Sequence, residues 1–107
     1  MELHQYQVVI VNLEPTIGSE IRKTRPCVIV SPDEMNRHLQ TITVCPVTSV
    51  ARKYPTRLKV IIQRKVNWIV VDQIRTIDRH RIIKTVGHLK QETITDLKAK
   101  IKETFVD

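Results

Sequence analysis

The chain opens on a run dominated by β-branched residues. Tyr6-Gln7-Val8-Val9-Ile10-Val11-Asn12-Leu13 is nearly continuous in apolar character and high in β-propensity, which predicts a strand that Glu14-Pro15 ends. The next stretch, 16–24, holds Gly18 and reads as a loop. Arg25-Pro26 then opens a second predicted strand, Cys27-Val28-Ile29-Val30. Ser31-Pro32-Asp33-Glu34-Met35-Asn36 reads as a turn into a short helix, with Ser31 or Asp33 as cap and Pro32 in the first turn. A third strand, Gln40–Cys45, is expected to stop at Pro46 and leave Val47-Thr48-Ser49 at its exit. Loop-like sequence around Tyr54-Pro55 leads to strands at Leu58–Ile62 and Trp68–Val71, the latter running into 72–78. From about Gln91 the period changes: Ile94, Leu97, Ile101 and Phe105 recur at helical spacing on one face.

Several short strands, one terminal helix and no βαβ alternation predict a mainly β fold with a C-terminal helix (α+β), a small barrel or curled sheet capped by that helix. The 107 residues make one domain, 1–107, large enough to bury a core without disulfides. Cys27 and Cys45 stand far apart in apolar runs and read as buried free thiols. A structural disulfide is the alternative, but nothing marks the chain as secreted. Met1-Glu2-Leu3-His4-Gln5 leads straight into the first strand, without a signal-peptide pattern. No apolar run approaches the ~18 residues of a membrane span, so the expected setting is cytoplasmic, with no membrane partner.

Charge narrows the partners. The formal net charge is +7, a surplus that favours polyanions. It is concentrated: Arg52, Lys53, Arg57, Lys59, Arg64 and Lys65 occur without an acid among them, and so do Arg79, Arg81, Lys84 and Lys90, interspersed with His80 and His88. A merely solvated basic surface is the plain alternative. Charge alone does not separate RNA from DNA or from an acidic protein.

The chemistry-bearing motifs are mostly missing. No Gly-rich phosphate loop, HExxH, CxxC, paired-Asp or G-x-S-x-G pattern occurs, and His4, His38, His80 and His88 stand singly. An active site, if present, is therefore expected to use no metal and no cofactor. Two places are out of character for scaffold. Gly18-Ser19-Glu20, followed by Arg25-Pro26, sets an acid and a guanidinium around a loop that feeds a core strand. Pro46-Val47-Thr48-Ser49 places two hydroxyls where another core strand leaves the sheet.

Taken in order, these segments resemble a known family. Leu13-Glu14-Pro15-Thr16-Ile17-Gly18-Ser19-Glu20, with Thr24-Arg25-Pro26-Cys27-Val28-Ile29-Val30-Ser31-Pro32-Asp33 and Asn36-Arg37, resembles the amino-terminal half of the MazF/PemK toxins. Val44-Cys45-Pro46-Val47-Thr48-Ser49 is similar to the family's P-[IV]-T-[SA] strand exit, and Asp72-Gln73-Ile74-Arg75-Thr76-Ile77-Asp78 to its D/E-Q-[IV]-R-[ST]-[IL]-D. The resemblance implies a dimeric, SH3-like barrel of the MazF/CcdB type that cleaves single-stranded RNA. It also implies neutralisation by an acidic, partly disordered antitoxin. Arg25 and Thr48 match the catalytic arginine and threonine of many chromosomal members, and Glu20 an acid of the first loop. Gly18, Ser19, Ser49, Gln73 and Arg75 match RNA-binding positions.

Physical chemistry makes that set reasonable. RNA supplies its own nucleophile, the ribose 2′-hydroxyl, so the enzyme need only orient it and manage charge and protons. A guanidinium stays protonated and presents a fork of donors to phosphate oxygens, so Arg25 aimed at the transition state contributes on the order of 10²–10³ in rate. Thr48, an aliphatic hydroxyl, is a poor base and a better donor or relay. Glu20 is the better candidate for the base, or else it orders its loop. For Arg75 the alternative is a salt bridge to Asp72 or Asp78. Some members use a histidine, an arginine and an aspartate instead. Ser19, Val70 and Asp72 stand there, so that set is broken and Asp72 is doubtful as a catalyst. Arg22-Lys23 replace common glycines, which predicts a stiffer, more basic first loop. The same barrel also hosts the CcdB type of DNA-gyrase poison, which does no chemistry, and a catalytically silent RNA-binding barrel is a further alternative.

Overall fold

A computed structural model describes residues 1–21 and 23–107. Among them the chain forms β1 (Gln7–Asn12), β2 (Thr24–Ile29), α1 (Asp33–His38), β3 (Thr41–Thr48), β4 (Arg57–Ile62), β5 (Lys65–Val70), β6 (Arg75–Asp78), β7 (Ile82–His88) and α2 (Gln91–Phe105). The strands join in one antiparallel sheet ordered β4-β5-β3-β2-β1-β7. β6 pairs with the first half of β3, on the edge that β5 takes up further along. β5 and β6 thus act as one strand interrupted by the 3-10 turn Val71–Gln73.

Strand alternation sends side chains to two faces, and each face builds its own core. Val9, Val11, Leu13, Cys27, Ile29, Ile42, Val44, Ile77 and Ile82 close one. Val8, Val28, Cys45, Val47, Val60, Ile69 and Val71 join Leu89, Ile94 and Leu97 in the other. Burying both faces explains why the first strand reads as a continuous apolar run rather than an alternating one. α2 caps the second core, packing against β4 and the 3-10 turn. The sheet curls without closing, leaving β4 and β7 as edges beside a groove of about 490 Å³.

The structure corrects several expectations. β3 does not stop at Pro46 but continues to Thr48. Pro46 faces Cys27 across to β2 and falls, on its other edge, between the last residue paired to β6 (Val44) and the first paired to β5 (Val47). A residue lacking an N–H is tolerated in such a gap in the ladder. Neither Ser31 nor Asp33 caps α1: its N-cap is Pro32 and makes no side-chain cap bond. Ser31 Oγ instead donates to buried Asn36 (2.6 Å), and an Asp33 oxygen accepts the Gln5 N–H (2.7 Å). The expected Trp68–Val71 strand begins earlier, at Lys65, after a two-residue turn with Gln63 and Arg64 both at positive φ. β7 lies in a basic stretch that the apolar pattern does not mark. Phe105 follows the helical period yet is 53% exposed, in the last turn of α2. Arg22, half of the expected stiff basic pair, lies outside the described residues.

Both cysteines are buried free thiols, as their apolar settings predict. Cys27 and Cys45 belong to opposite faces. No described helix is long and apolar enough to cross a membrane.

Candidate active site

The β2–β3 register brings the two strand ends together. Cys27 faces Pro46, Val28 faces Cys45 and Ile29 faces Val44. Carried two residues further, the same register sets Arg25 opposite Thr48. Both side chains share the parity of the first core: Arg25 follows Cys27 and Ile29, and Thr48 follows Ile42 and Val44. They therefore rise from one face, at the open end of that core. Arg25 is half-buried.

Thr48 is only 5% exposed, which makes its remaining hydrogen-bonding capacity decisive. Its Oγ1 accepts the Val50 N–H at 3.2 Å. The hydroxyl proton itself meets no acceptor among the described residues, so Thr48 is held as a donor. Ser49, next in sequence, is exposed at the strand exit. Arg52 and Lys53 follow it on the surface.

Arg75 joins the pair from β6. It faces Val44 across the ladder, which gives it the same face, and its side chain is 26% exposed. The Cys27 thiol lies in the fields of both guanidiniums. Burial, with a smaller contribution from Cys45, pushes that thiol up to about 12 against the opposing pull of Arg75 and Arg25. Cys27 is therefore a protonated, inert floor to the site rather than a nucleophile.

The first loop folds over this floor. Gln73 Oε1 accepts the Ile21 N–H at 2.8 Å. Glu20 Oε1 accepts the Ile17 N–H at 3.1 Å, while its Oε2 lies 3.9 Å from Arg75 Nη1. Arg75 thus pairs with Glu20 rather than with Asp72 or Asp78. Gly18 supplies a positive φ of 62° that L side chains rarely adopt, and Ser19 beside it is exposed. Asp72 is engaged elsewhere. It accepts the Thr56 hydroxyl at 2.8 Å and lies 3.9 Å from Arg57 Nε.

Arg57 is the polar residue whose setting its sequence context least discloses. It is 12% exposed, lies 5.4 Å over the Tyr54 ring, and its buried Nε has no hydrogen-bond partner among the described residues. The Tyr54-Pro55-Thr56-Arg57 spacing was the available signal, masked within a run of basic residues. No group of three or more His, Cys, Asp or Glu side chains comes together among the described residues.

A curled sheet with a helical cap, carrying a guanidinium and a hydroxyl donor at one strand exit beneath a loop, defines a small mainly β fold with a candidate phosphate-binding site at its open end. The family model for PemK-like, MazF-like toxins of type II toxin–antitoxin systems matches residues 4–105, and the chain belongs to that family. Endoribonuclease EndoA of Bacillus subtilis is 32% identical over 91 residues, 79% of this chain and 78% of the relative. Endoribonuclease MazF9 of Mycobacterium tuberculosis is 33% identical over 104 residues, covering 86% of each. Among solved structures, MazF from Deinococcus radiodurans superposes with a TM-score of 0.86 at 23% identity, covering 96% of both chains. A mycobacterial endoribonuclease in complex with its cognate antitoxin superposes at 0.80 and 19% identity, over 94% of this chain and 92% of the other. These structural likenesses establish the shared fold.

Proposed function

We propose that the protein is a toxin endoribonuclease that cleaves single-stranded RNA by 2′-hydroxyl attack, with Arg25 and Thr48 as its catalytic pair. The observation that carries this reading is their convergence on one face at the β2 and β3 ends, with Thr48 retaining a free donor. It agrees with the activity for which the two curated relatives are named. A gyrase poison has no use for such a pair.

In the reaction the 2′-oxygen attacks the adjacent phosphorus, the bond to the 5′-oxygen breaks, and the departing 5′-oxygen takes a proton from water, giving a 2′,3′-cyclic phosphate and a 5′-hydroxyl. Arg25 offers paired donors to the non-bridging oxygens as charge develops there. Thr48 donates to the same phosphate. Glu20 accepts the 2′-hydroxyl proton, since a carboxylate can take a proton and a guanidinium cannot. Its reach is set by the loop, so a substrate phosphate taking Arg75 releases Glu20 toward the nucleophile. Gly18, Ser19, Ser49, Gln73 and Arg75 line the RNA path, which the surface cations Arg52 and Lys53 extend.

The protein works in the cytoplasm as a homodimer and is silenced by a cognate antitoxin whose acidic segment covers the basic surface around Arg25 and Thr48. The test is incubation of purified protein with mixed-sequence single-stranded RNA in EDTA, beside Arg25→Ala. Cleavage by the parent alone, with cyclic phosphate ends, supports the reading. Intact RNA in both lanes removes it.

A further inference from the structure

The aromatic residues of this chain are few, and most have structural work. Tyr6 packs against the second core, Tyr54 lies under Arg57, and Phe105 sits at the far end of α2. Trp68 differs. It is partly exposed, yet it packs with neither core cluster. Its indole N–H has no acceptor among the described residues.

Its position is fixed by two ladders. Thr48 faces Trp68 across β3 and β5, and Lys59 faces the same Trp68 across β5 and β4. Residues directly opposite in an antiparallel pair have Cβ atoms about 5 Å apart on the same face. Thr48, Trp68 and Lys59 therefore form one cross-strand row, continuing on the far side of Thr48 toward Arg25. In the next row outward, Ile61 faces Val66, exposed by 69% and 43%. A large ring thus lies beside the hydroxyl donor, with a cation at its outer edge and apolar surface beyond.

We propose that Trp68 is a substrate-binding residue that stacks a nucleobase flanking the scissile phosphate, with Lys59 holding the next phosphate outward. The proposal rests on the ribonuclease reading above and adds a specificity element to it. Stacking on an exposed aromatic of a sheet face is a general means of holding splayed bases. A ring one residue from the phosphate-binding hydroxyl is within reach of the adjoining base.

Trp68 is the chain's one tryptophan, so its emission reports this position alone. The parent protein is titrated with mixed-sequence single-stranded RNA methylated at every 2′-oxygen, which removes the nucleophile, and with an abasic strand of equal length. Binding is followed independently by anisotropy of a labelled strand. The expected result is saturable quenching by the base-bearing strand and none by the abasic one. Trp68→Leu weakens binding of the base-bearing strand roughly 5- to 30-fold, and Trp68→Phe restores most of it.

Binding with unchanged emission, or equal quenching by both strands, overturns the stacking role while leaving the nuclease standing. An emission shift that follows protein concentration instead of RNA also overturns it and makes this face a contact between copies. Absence of both binding and cleavage in the parent brings down the ribonuclease reading itself, and the proposal with it. Because the emission arm uses the parent protein, the outcome does not depend on whether Trp68→Leu folds.

Discussion

Gln73 Oε1 accepts the backbone N–H of Ile21 at 2.8 Å, tying the first loop to the 3-10 turn between β5 and β6. The two residues are 52 positions apart in the chain, yet this bond and the Glu20–Arg75 ion pair hold the loop over the face that carries Arg25 and Thr48. Loop order and the geometry of the proposed site are thereby coupled through a neutral side chain.

Gln73→Leu should leave the fold intact and cost about 1–3 kcal/mol, the penalty for stranding a partly buried N–H. The Ile21 amide should lose hydrogen-exchange protection, and RNA cleavage should fall with it. Unchanged Ile21 exchange in the variant would show that the loop is held by other interactions.

Thr48 separates a catalytic hydroxyl from a structural one. Thr48→Ser keeps the donor and the bond from Val50, and should retain most of the activity. Thr48→Val keeps the shape and removes both, and should lower kcat on the order of 10²-fold, the scale of losing one transition-state donor. The thermal midpoint should fall only modestly for Val. Equal activity in Ser and Val variants would strip the hydroxyl of any role in the chemistry.

What could be read from the chain follows the physics of each element. β1 and α2 were legible because one is apolar on both faces and the other places Ile94, Leu97 and Ile101 at helical spacing. β7 was not, because an edge strand contributes little to a core: of its seven residues only Ile82 is buried and only Val86 half-buried. The sequence pattern of β3 ends at Pro46 although the strand does not, because a proline's tolerance depends on which neighbours the strand has on either edge, a tertiary fact. The pairing of Arg25 with Thr48 depends on a register between strands joined through a helix. No local pattern discloses it, and only the family resemblance put the two residues together. Trp68 read as strand and nothing more, since an indole that serves the core and one that faces substrate look alike in sequence.

The buried thiols make alkaline pH a probe of the fold. Burial pushes both Cys27 and Cys45 up to about 12 from an ordinary 9.0. Above pH 9 the unfolded chain releases these protons while the folded chain keeps them, so stability is full below 9 and falls as pH rises toward 12. The slope approaches about 1.4 kcal/mol per pH unit for each thiol. Denaturant unfolding from pH 8 to 11 should show this fall in the parent and a flatter profile in a Cys27→Ala, Cys45→Ala variant. Parallel profiles would mean the thiols titrate alike in both states. Native protein should also resist thiol reagents that label it fully once unfolded.

The cationic segment after Thr48 has a role that salt can isolate. Arg52 and Lys53 are exposed and lie within five residues of the Thr48 hydroxyl. If they track the RNA backbone, each releases condensed counterions on binding and steepens the dependence of affinity on salt. Binding of the methylated RNA should weaken steeply between low and moderate salt. The Arg52→Ala, Lys53→Ala variant should flatten the slope of log K against log salt by about 0.7 for each phosphate no longer neutralised, or ~1.4 in all. Single-turnover cleavage at saturating RNA should hardly change, because the strand is then already bound and neither side chain belongs to the proposed catalytic set. A slope that stays the same would place these cations off the RNA path. A loss of single-turnover rate at unchanged slope would instead implicate them in the chemistry. The two measurements therefore separate capture of the strand from its scission, which a single endpoint of activity would merge.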